Sequence, residues 1–269
     1  MPELPEVETT CRGISPHVSH QKVIKVTVRQ PKLRWPVPKE LQQLEGQTIK
    51  RVYRRAKYCL LESPAGTVII HLGMSGNLRI CDKGMKAEKH DHVDIQFDNG
   101  KILRLQDPRR FGCVLWTQKL SQHPLIRDLG PEPLSEEFTA PFLYEKSRSR
   151  KVNIKTFIMN AKVVVGVGNI YASESLFMSG INPKTLAGKI SLKRYEKLVF
   201  AIKTVLSLAI DQGGTTLKDF VNASGQPGYF QQKLSVYGRA EQPCLTCKQP
   251  IRQITQAQRS TYYCSTCQK

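Results

Sequence analysis

Four cysteines near the end of the sequence restrict the possible fold more than any other feature of this chain. They form two C-x2-C pairs separated by sixteen residues: Cys244, Cys247, Cys264 and Cys267. This spacing is typical of zinc ribbons, in which each pair presents two thiolates from one tight turn. The runs 251–254 and 261–263 between the pairs favour a two-stranded hairpin. We therefore expect one structural Zn²⁺ ion, held by four cysteines that leave no open coordination position.

Two other uses of these cysteines fit the chain less well. Two disulfides would suit a secreted protein, but Glu3, Glu6 and Glu8 do not fit the basic and apolar segments of a secretory signal. A redox-active C-x-x-C motif normally belongs to a βαβ unit, whereas here the motif occurs twice without such surroundings. Zinc is the better interpretation.

The charge of the chain indicates the kind of partner that it binds. With 41 Lys+Arg against 22 Asp+Glu the net charge is +19, so we expect a polyanion, nucleic acid ahead of an anionic membrane surface. Arg259 lies at the tip of the predicted hairpin, where an ordered guanidinium can grip a phosphate. No apolar run is long enough for a transmembrane helix, and we expect a soluble intracellular protein.

The first residues suggest a nucleophile. If Met1 is removed, the chain begins with the secondary amine of Pro2, followed at once by the carboxylic acid of Glu3. An α-amino group has a pKa of about 8, so it is partly neutral at physiological pH. Such an amine can attack an aldehyde-like sugar carbon and form an iminium while the acid moves protons. Many chains begin with Met-Pro and make no such use of the proline, so this signal needs support from elsewhere.

The hydrophobic pattern changes once along the chain. Between about residues 22 and 116, apolar residues alternate or form short buried runs, and Asn99-Gly100 is a strong hairpin turn. This half predicts an antiparallel β-sandwich, led by a short helix that starts at Pro5. The stretch 130–134, rich in Pro and Gly, marks a boundary.

Beyond that boundary the pattern is helical. Apolar residues at helical spacing predict helices over 169–178 and 191–211. The expected class is therefore α+β, and we expect three domains. Residues 1–130 form the β-sandwich, residues 131–235 the helical domain and residues 236–269 the zinc hairpin.

Several predicted loops carry side chains suited to nucleic acid. Asn169 follows a Gly-containing turn and opens a helix, so its amide and the helix N-terminus can bind a phosphate. His90 is a more plausible DNA contact than a ligand of a second metal. Met74 and Phe111 lie beside glycines on predicted turns, where an apolar side chain can enter a base stack, although such residues are ordinarily core residues.

Taken together, these motifs resemble those of the bacterial formamidopyrimidine-DNA glycosylases, in the formamidopyrimidine/endonuclease VIII family. The matching segments occur in order over almost the whole chain: PELPEVET, RRAKY, HLGMSG, EKHDHVD, DPRRFG, VVGVGNIYASESLF, GGTTLKDF and QRSTYYCSTCQK. The resemblance implies a β-sandwich joined to a helix-two-turns-helix domain with a zinc finger. It also implies a monomeric base-excision-repair enzyme of the bacterial cytoplasm and nucleoid, which binds damaged double-stranded DNA and needs neither an organic cofactor nor a membrane.

The resemblance implies roles for four catalytic residues. Pro2 would attack C1′ of a flipped nucleotide and displace an oxidised purine, 8-oxoguanine or a formamidopyrimidine, leaving a Schiff base. Glu3 would donate and accept protons as the sugar ring opens. β- and δ-elimination would then remove the 3′ and 5′ phosphates. Lys57 would assist proton transfer and phosphate binding, and Arg259 would assist the second elimination.

The resemblance also implies a set of DNA contacts. Met74, Arg109 and Phe111 would fill the space left by the flipped nucleotide, with Arg109 facing the unpaired cytosine. Three further residues would bind DNA: His90, Arg150 and Asn169. Arg150 stands where the family commonly has lysine, and a forked guanidinium is not equivalent to an ammonium.

Two alternatives stay open. An endonuclease VIII-like enzyme would prefer oxidised pyrimidines, but that branch typically has Gly where this chain has Leu4. Residues 219–230 also resemble the lesion-capping loop of the purine enzymes. A non-catalytic zinc protein would keep the scaffold and bind DNA, but the intact Pro2-Glu3 pair argues against it.

Overall fold

The structure is a computed structural model that describes residues 2–213 and 234–269. The described residues form two compact units. The first comprises residues 2–127 and 212–213, and the second comprises Asp128–Asp211 and residues 234–269.

The first unit is an antiparallel β-sandwich with a leading helix, α1, which spans Leu4–Val18. Eight strands follow: β1 (Val23–Val28), β2 (Arg51–Arg55), β3 (Tyr58–Ser63), β4 (Gly66–His71), β5 (Asn77–Asp82), β6 (Asp91–Phe97), β7 (Lys101–Gln106) and β8 (Cys113–Thr117). They form two four-stranded sheets with the orders β1-β6-β7-β5 and β2-β3-β4-β8, and every neighbouring pair is antiparallel.

Helix α1 and both sheets share one core. Apolar residues at positions 7, 11, 14 and 18 recur at helical spacing, so they form one buried stripe along α1. This stripe packs in the same cluster as Leu61 of β3 and Leu103 of β7. The burial fixes α1, and with it the residues that precede it, to the sandwich.

The hairpin between β6 and β7 turns where the sequence predicts. Gly100 has a φ of +78°, in the left-handed region that favours glycine, and its N–H donates to the carbonyl of Phe97 at 3.2 Å. The turn fixes the register that pairs Ile95 with Leu103, so both side chains point into the core.

The second unit is helical and carries a two-stranded hairpin. Its elements are α2 (Ala140–Ser147), α3 (Ile154–Ile158), α4 (Asn169–Met178), α5 (Leu192–Asp211), β9 (Arg252–Gln256) and β10 (Arg259–Tyr263). Helix α5 packs against α2 and α4, and β10 packs against α4.

The predicted α+β class is confirmed, and so are the helix over 169–178 and the long helix, which begins at Leu192. The domain boundaries expected after residues 130 and 235 remain predictions. The expected lesion-capping segment, 219–230, lies outside the described residues. Within the described part of the chain, no helix has both the length and the apolar character needed to cross a membrane.

Candidate active site and metal centre

Pro2 and Glu3 stand at the N-terminal end of α1, and both are buried. The backbone N–H of Glu3 donates to Oε2 of Glu6 at 2.8 Å, and the Glu3 side chain accepts from the backbone N–H of Glu6. This reciprocal capping box fixes the Glu3 carboxyl at the N-terminus of α1, on the residue that follows Pro2 in the chain. Glu6 is not among the site residues predicted from the sequence, although an acid three residues after the N-cap is the usual signal for a capping box.

Lys57 lies in the tight turn between β2 and β3. The turn passes through Ala56, whose φ is +53°, and Nη1 of Arg54 donates to the Ala56 carbonyl at 3.0 Å. Nε of the same arginine donates to Oε2 of Glu8 at 2.9 Å. Because Glu8 belongs to α1, the largely buried Arg54 side chain ties the helix behind Pro2 to the turn that carries Lys57.

His71, at the end of β4, lies close to this turn. Its ring packs against Tyr58 with the ring centroids 5.2 Å apart, and Nδ1 accepts from the N–H of Gly73 at 3.0 Å. Burial lowers the pKa of His71 to about 4, and the positive charges of Lys57 and Arg34 act in the same direction. The imidazole is therefore neutral at pH 7. His71 is not among the site residues predicted from the sequence, because no local signal marks it.

Two apolar side chains on loops of the first unit are exposed. Met74 is 38% exposed and Phe111 is 46% exposed, so neither is a core residue. The guanidinium carbon of Arg109 lies 4.9 Å from the centre of the Phe111 ring. This arrangement presents two apolar side chains and one planar cation to solvent, which suits contact with stacked bases.

The His90–Asp94 segment does not form a metal site. Nε2 of His92 donates to the carbonyl of Asp107 at 2.8 Å. The carboxylates of Asp91 and Asp94 accept from arginine side chains at 2.9 Å. In the described part of the chain, the four C-terminal cysteines form the one group able to hold a metal ion.

These four cysteines fit a tetrahedral ion. Their sulfurs all lie within 4.8 Å of one another, with 3.9 Å between Cys244 and Cys267 and 3.4 Å between Cys247 and Cys264. Zn–S bonds of about 2.3 Å in a tetrahedron place sulfurs about 3.8 Å apart. Each pair lies at a tight turn, since the N–H of Lys248 donates to the Cys244 carbonyl and that of Gln268 to the Cys264 carbonyl.

Arg259 lies at the tip of the β9–β10 hairpin, as predicted. It pairs with Gln256 across the turn residues Ala257 and Gln258, whose φ angles are +47° and +60°. The side chain is exposed. Two consecutive residues with positive φ make a tight hairpin turn, so the first residue of β10 has a fixed direction.

The amide of Asn169, the first residue of α4, connects the helices to the hairpin. Its Oδ1 accepts from Nζ of Lys155 at 2.6 Å, and its Nδ2 donates to the carbonyl of Ser260 at 3.0 Å. Lys155, 1% exposed, also donates to that carbonyl and to Oγ1 of Thr261 at 2.8 Å. The predicted phosphate-binding amide is thus held beside Arg259 by contacts within the unit.

Glu174 fixes the chain that leads into the hairpin. Its buried carboxylate accepts from the backbone N–H groups of Ser235, Val236 and Tyr237 at 2.7 to 2.9 Å. Burial raises its pKa, while these hydrogen bonds act in the opposite direction. Arg150, in contrast, lies on an exposed turn after α2, where its N–H donates to the Ser147 carbonyl and its side chain faces solvent.

Three family models match the chain. Residues 1–114 match the N-terminal domain of formamidopyrimidine-DNA glycosylase, residues 129–221 match its H2TH domain, and residues 241–269 match the zinc finger found in FPG and IleRS. The last match agrees with the geometry of the four cysteines, and the metal is one structural zinc ion.

Curated and solved proteins are similar over the full length. The formamidopyrimidine-DNA glycosylase of Photobacterium profundum is 55% identical, and the alignment covers 100% of both chains. The MutM (FPG) crystal structure from Thermus thermophilus has a TM-score of 0.89 and 34% identity, covering 99% of this chain and 98% of that chain. A Lactococcus lactis FPG variant in complex with Fapy-dG containing DNA has a TM-score of 0.92 and 32% identity, with 100% of both chains covered.

Proposed function

The chain belongs to the formamidopyrimidine-DNA glycosylase family, and from this premise we propose that it excises oxidised purines from double-stranded DNA and then cleaves the strand. The bases removed are 8-oxoguanine and formamidopyrimidines. The observation that carries the proposal is the buried Pro2-Glu3 pair at the start of α1, in a chain that aligns from end to end with a DNA glycosylase. The complex of a similar protein with Fapy-dG containing DNA supports the class of substrate.

Pro2 is the nucleophile of this mechanism. Once Met1 is removed, the neutral amine attacks C1′ of the everted nucleotide, and the new C–N bond forms as the glycosidic bond to the base breaks. The proton that the amine loses neutralises the departing base. Glu3 donates the proton that opens the sugar ring, which leaves a cationic iminium between Pro2 and C1′. The capping box supports this role, because it holds the Glu3 side chain at the start of α1, one residue after the amine.

Strand cleavage follows by two eliminations. Loss of a proton from C2′ of the iminium expels the 3′ phosphate, and a second elimination expels the 5′ phosphate. Lys57 assists the first step and binds phosphate from the turn that Arg54 ties to α1. Arg259, exposed at the hairpin tip, grips the phosphate that leaves in the second step.

The DNA contacts come from both units. Met74, Arg109 and Phe111 occupy the space of the everted nucleotide, and Arg109 faces the unpaired cytosine. His90, Arg150 and Asn169 hold the backbone: His90 beside β6, Arg150 on an exposed turn, and Asn169 at the start of α4. Zinc supplies no chemistry here, and it orders the hairpin that presents Arg259.

The protein works as a monomer in the cytoplasm, associated with the nucleoid through DNA, and needs no organic cofactor. We assign these roles to three domains. Residues 1–130 carry the nucleophile, residues 131–235 bind the DNA backbone, and residues 236–269 form the zinc finger.

A borohydride trap tests the nucleophile. The purified protein is incubated with a duplex that carries 8-oxoguanine opposite cytosine, the Schiff base is reduced, and the cross-linked residue is located by mass spectrometry. We expect the adduct on Pro2. An adduct on Lys57 would leave the lyase in place and overturn the nucleophile. If Pro2 carries no adduct although the protein binds the lesion tightly, the protein is non-catalytic. If it reacts only with an oxidised pyrimidine, the proposal that it acts on oxidised purines is wrong.

The acid is tested by Glu3→Gln, which keeps the size of the side chain and removes the proton. We expect the single-turnover rate of base excision to fall by about 100-fold or more, the range typical of a lost general acid. Glu40→Gln, at an exposed position of the short 3-10 helix Lys39–Leu44 in the same unit, is the matched control and is expected to leave the rate unchanged. Equal rates of base excision for the two variants would show that Glu3 takes no part in the reaction.

A further inference from the structure

One buried carboxylate connects the two loops that carry the proposed void-filling side chains. Asp107 follows β7 and has no exposed surface. Its Oδ1 accepts from the hydroxyl of Ser75 at 2.9 Å, and its Oδ2 accepts from the backbone N–H of Gly112 at 2.7 Å. Ser75 is the residue after Met74, and Gly112 is the residue after Phe111. Each oxygen thus holds one loop.

The backbone of Asp107 binds a third segment. Its N–H donates to the carbonyl of His90 at 3.0 Å. Its own carbonyl accepts from Nε2 of His92 at 2.8 Å and from the N–H of Arg110 at 3.1 Å. The last bond closes a tight turn that places Arg110 at a φ of +56°. One residue therefore makes five hydrogen bonds to three segments that carry proposed DNA contacts.

The two loops also meet at backbone distance. A Cβ atom on Gly73, whose φ is +63°, would lie 2.4 Å from the carbonyl carbon of Phe111. A Cβ atom on Gly112 would lie 2.6 Å from the carbonyl oxygen of His71 and 3.0 Å from Oδ2 of Asp107. Such separations exclude any side chain, so the two loops interlock. Only the side chains of their tips remain exposed.

We propose that Asp107 is the positioning residue whose carboxylate holds Met74, Arg109 and Phe111 in one fixed arrangement for base eversion, while its backbone N–H sets the position of His90. The inference rests on the proposed function, which assigns those side chains to the DNA. Asp107 does not touch the reacting atoms. It orders the two loops before DNA binds. Their side chains can then fill the space of the everted nucleotide and contact the opposite base without a further loss of conformational entropy.

The chemistry of Asp107 offers a matched pair of substitutions. In Asp107→Asn, the amide oxygen can accept from Gly112 N–H while the amide nitrogen donates to the Ser75 hydroxyl, so both bonds survive with one reversed. In Asp107→Ala, both are lost and the buried N–H of Gly112 has no acceptor there. Ser75→Ala removes only the bond to the Met74 loop. Ser63→Ala is the control, because this buried serine donates to the Gly66 carbonyl in a turn of the same unit, at 2.9 Å.

The experiment separates base eversion from Schiff-base chemistry. Each full-length variant is given three substrates: 8-oxoguanine opposite cytosine, 8-oxoguanine opposite adenine, and a single strand with an abasic site, which has no base to evert. We expect Asp107→Ala to lower single-turnover excision opposite cytosine by about 100-fold and to reduce the preference for cytosine over adenine. Borohydride trapping on the abasic strand should stay within about threefold of the parent, as should every activity of Asp107→Asn.

Ser75→Ala is expected to lower excision by about tenfold with trapping unchanged, and Ser63→Ala to change neither. If Asp107→Ala or Ser75→Ala loses excision and abasic-site trapping in equal measure, Asp107 is a purely structural residue and the inference fails. It also fails if both variants excise at the parent rate with the parent preference for cytosine. If Asp107→Ala does not fold, Ser75→Ala alone tests the inference, by comparing excision with abasic-site trapping and excision opposite cytosine with excision opposite adenine. A parent protein without activity on 8-oxoguanine contradicts the proposed function instead.

Discussion

His71 shows how one residue can be fixed in a single protonation state beside a cationic site. The N–H of Gly73 donates to Nδ1, so in the neutral ring the proton resides on Nε2. Burial opposes a second proton, and the ammonium of Lys57 and the guanidinium of Arg34 repel it. A neutral imidazole therefore adds no positive charge beside Lys57 at pH 7.

The lowered pKa of His71 predicts a pH dependence of stability. The pKa is about 4 in the folded chain against 6.5 for an ordinary histidine, so the unfolded chain binds the proton more readily between these values. The stabilisation is complete above pH 6.5 and is lost as the pH falls towards 4, by up to about 3 kcal/mol. We expect urea unfolding of His71→Gln to show a flatter pH dependence across this window, whereas His17→Gln, on the exposed end of α1, should follow the parent. Parallel curves for His71→Gln and the parent would contradict the prediction.

Substitutions of Arg150 can show which type of contact this side chain makes with a DNA phosphate. It is exposed on its turn, so the contribution to DNA binding that we propose for it is the charge that it brings to a phosphate. We expect Arg150→Lys to keep the salt dependence of lesion-duplex binding and Arg150→Gln to lower the slope of log K against log salt by about 0.9. Arg51→Gln is the control, because Glu62 already neutralises that guanidinium at 2.8 Å. A loss of affinity in Arg150→Lys equal to that in Arg150→Gln would instead indicate a forked contact.

At the scale of elements, the zinc hairpin is fixed from both of its ends. Lys155 and Asn169 bind the Ser260 carbonyl at the start of β10, and Glu174 binds the N–H groups of residues 235–237 that lead into the hairpin. Gln268 accepts from the Cys264 N–H and donates to the Ile181 carbonyl. The hairpin itself has few apolar residues, so the metal supplies the folding free energy that its small core does not.

Loss of the metal should therefore unfold the hairpin and leave the sandwich folded. Structural zinc contributes about 10 to 16 kcal/mol in small finger domains, far more than the few buried side chains near Cys264 can replace. We expect Cys247→Ser/Cys264→Ser to lose its zinc, measured by metal analysis, and to become sensitive to protease within residues 236–269. DNA affinity should fall by at least about tenfold as Arg259 loses its position. Cys81→Ser, at a reduced cysteine of β5, is the control, and tight DNA binding by a zinc-free variant would contradict the expectation.

Local patterns in the sequence predict the helices and strands. They do not predict the hydrogen bonds between distant residues that hold these elements together. Helix α5 and the zinc hairpin are predictable because their signals repeat within a few residues. Lys155 and Thr261 are 106 residues apart, and no local pattern relates a lysine to such a partner. The family resemblance supplies the proposed site residues, but not the roles of Glu6, Glu174 and Asp107. Those roles depend on backbone groups, which every residue has and which no sequence motif marks.

At the scale of the whole molecule, the positive charge is spread evenly over the chain. Residues 1–127 hold 22 basic and 12 acidic side chains, a net charge of +10, and residues 128–269 hold 19 and 10, a net charge of +9. Charge of this kind attracts any duplex, damaged or not, because phosphates are the same in both. Recognition of a lesion must therefore come from eversion and from the side chains that we propose to replace the flipped base.

If phosphate contacts supply the affinity and base eversion supplies the preference for a lesion, salt should change the affinity and leave the preference unchanged. If about six to ten phosphates are neutralised, the affinity for a duplex should fall by about 10³ to 10⁵ between 50 and 200 mM salt. The slopes for an undamaged duplex and for one with 8-oxoguanine should be nearly equal, since the same cations hold both backbones, and the ratio of the two affinities should stay constant. Fluorescence anisotropy with both duplexes across this range measures the slopes directly. A lesion preference that disappears as salt rises would show that phosphate contacts, and not eversion, carry the discrimination.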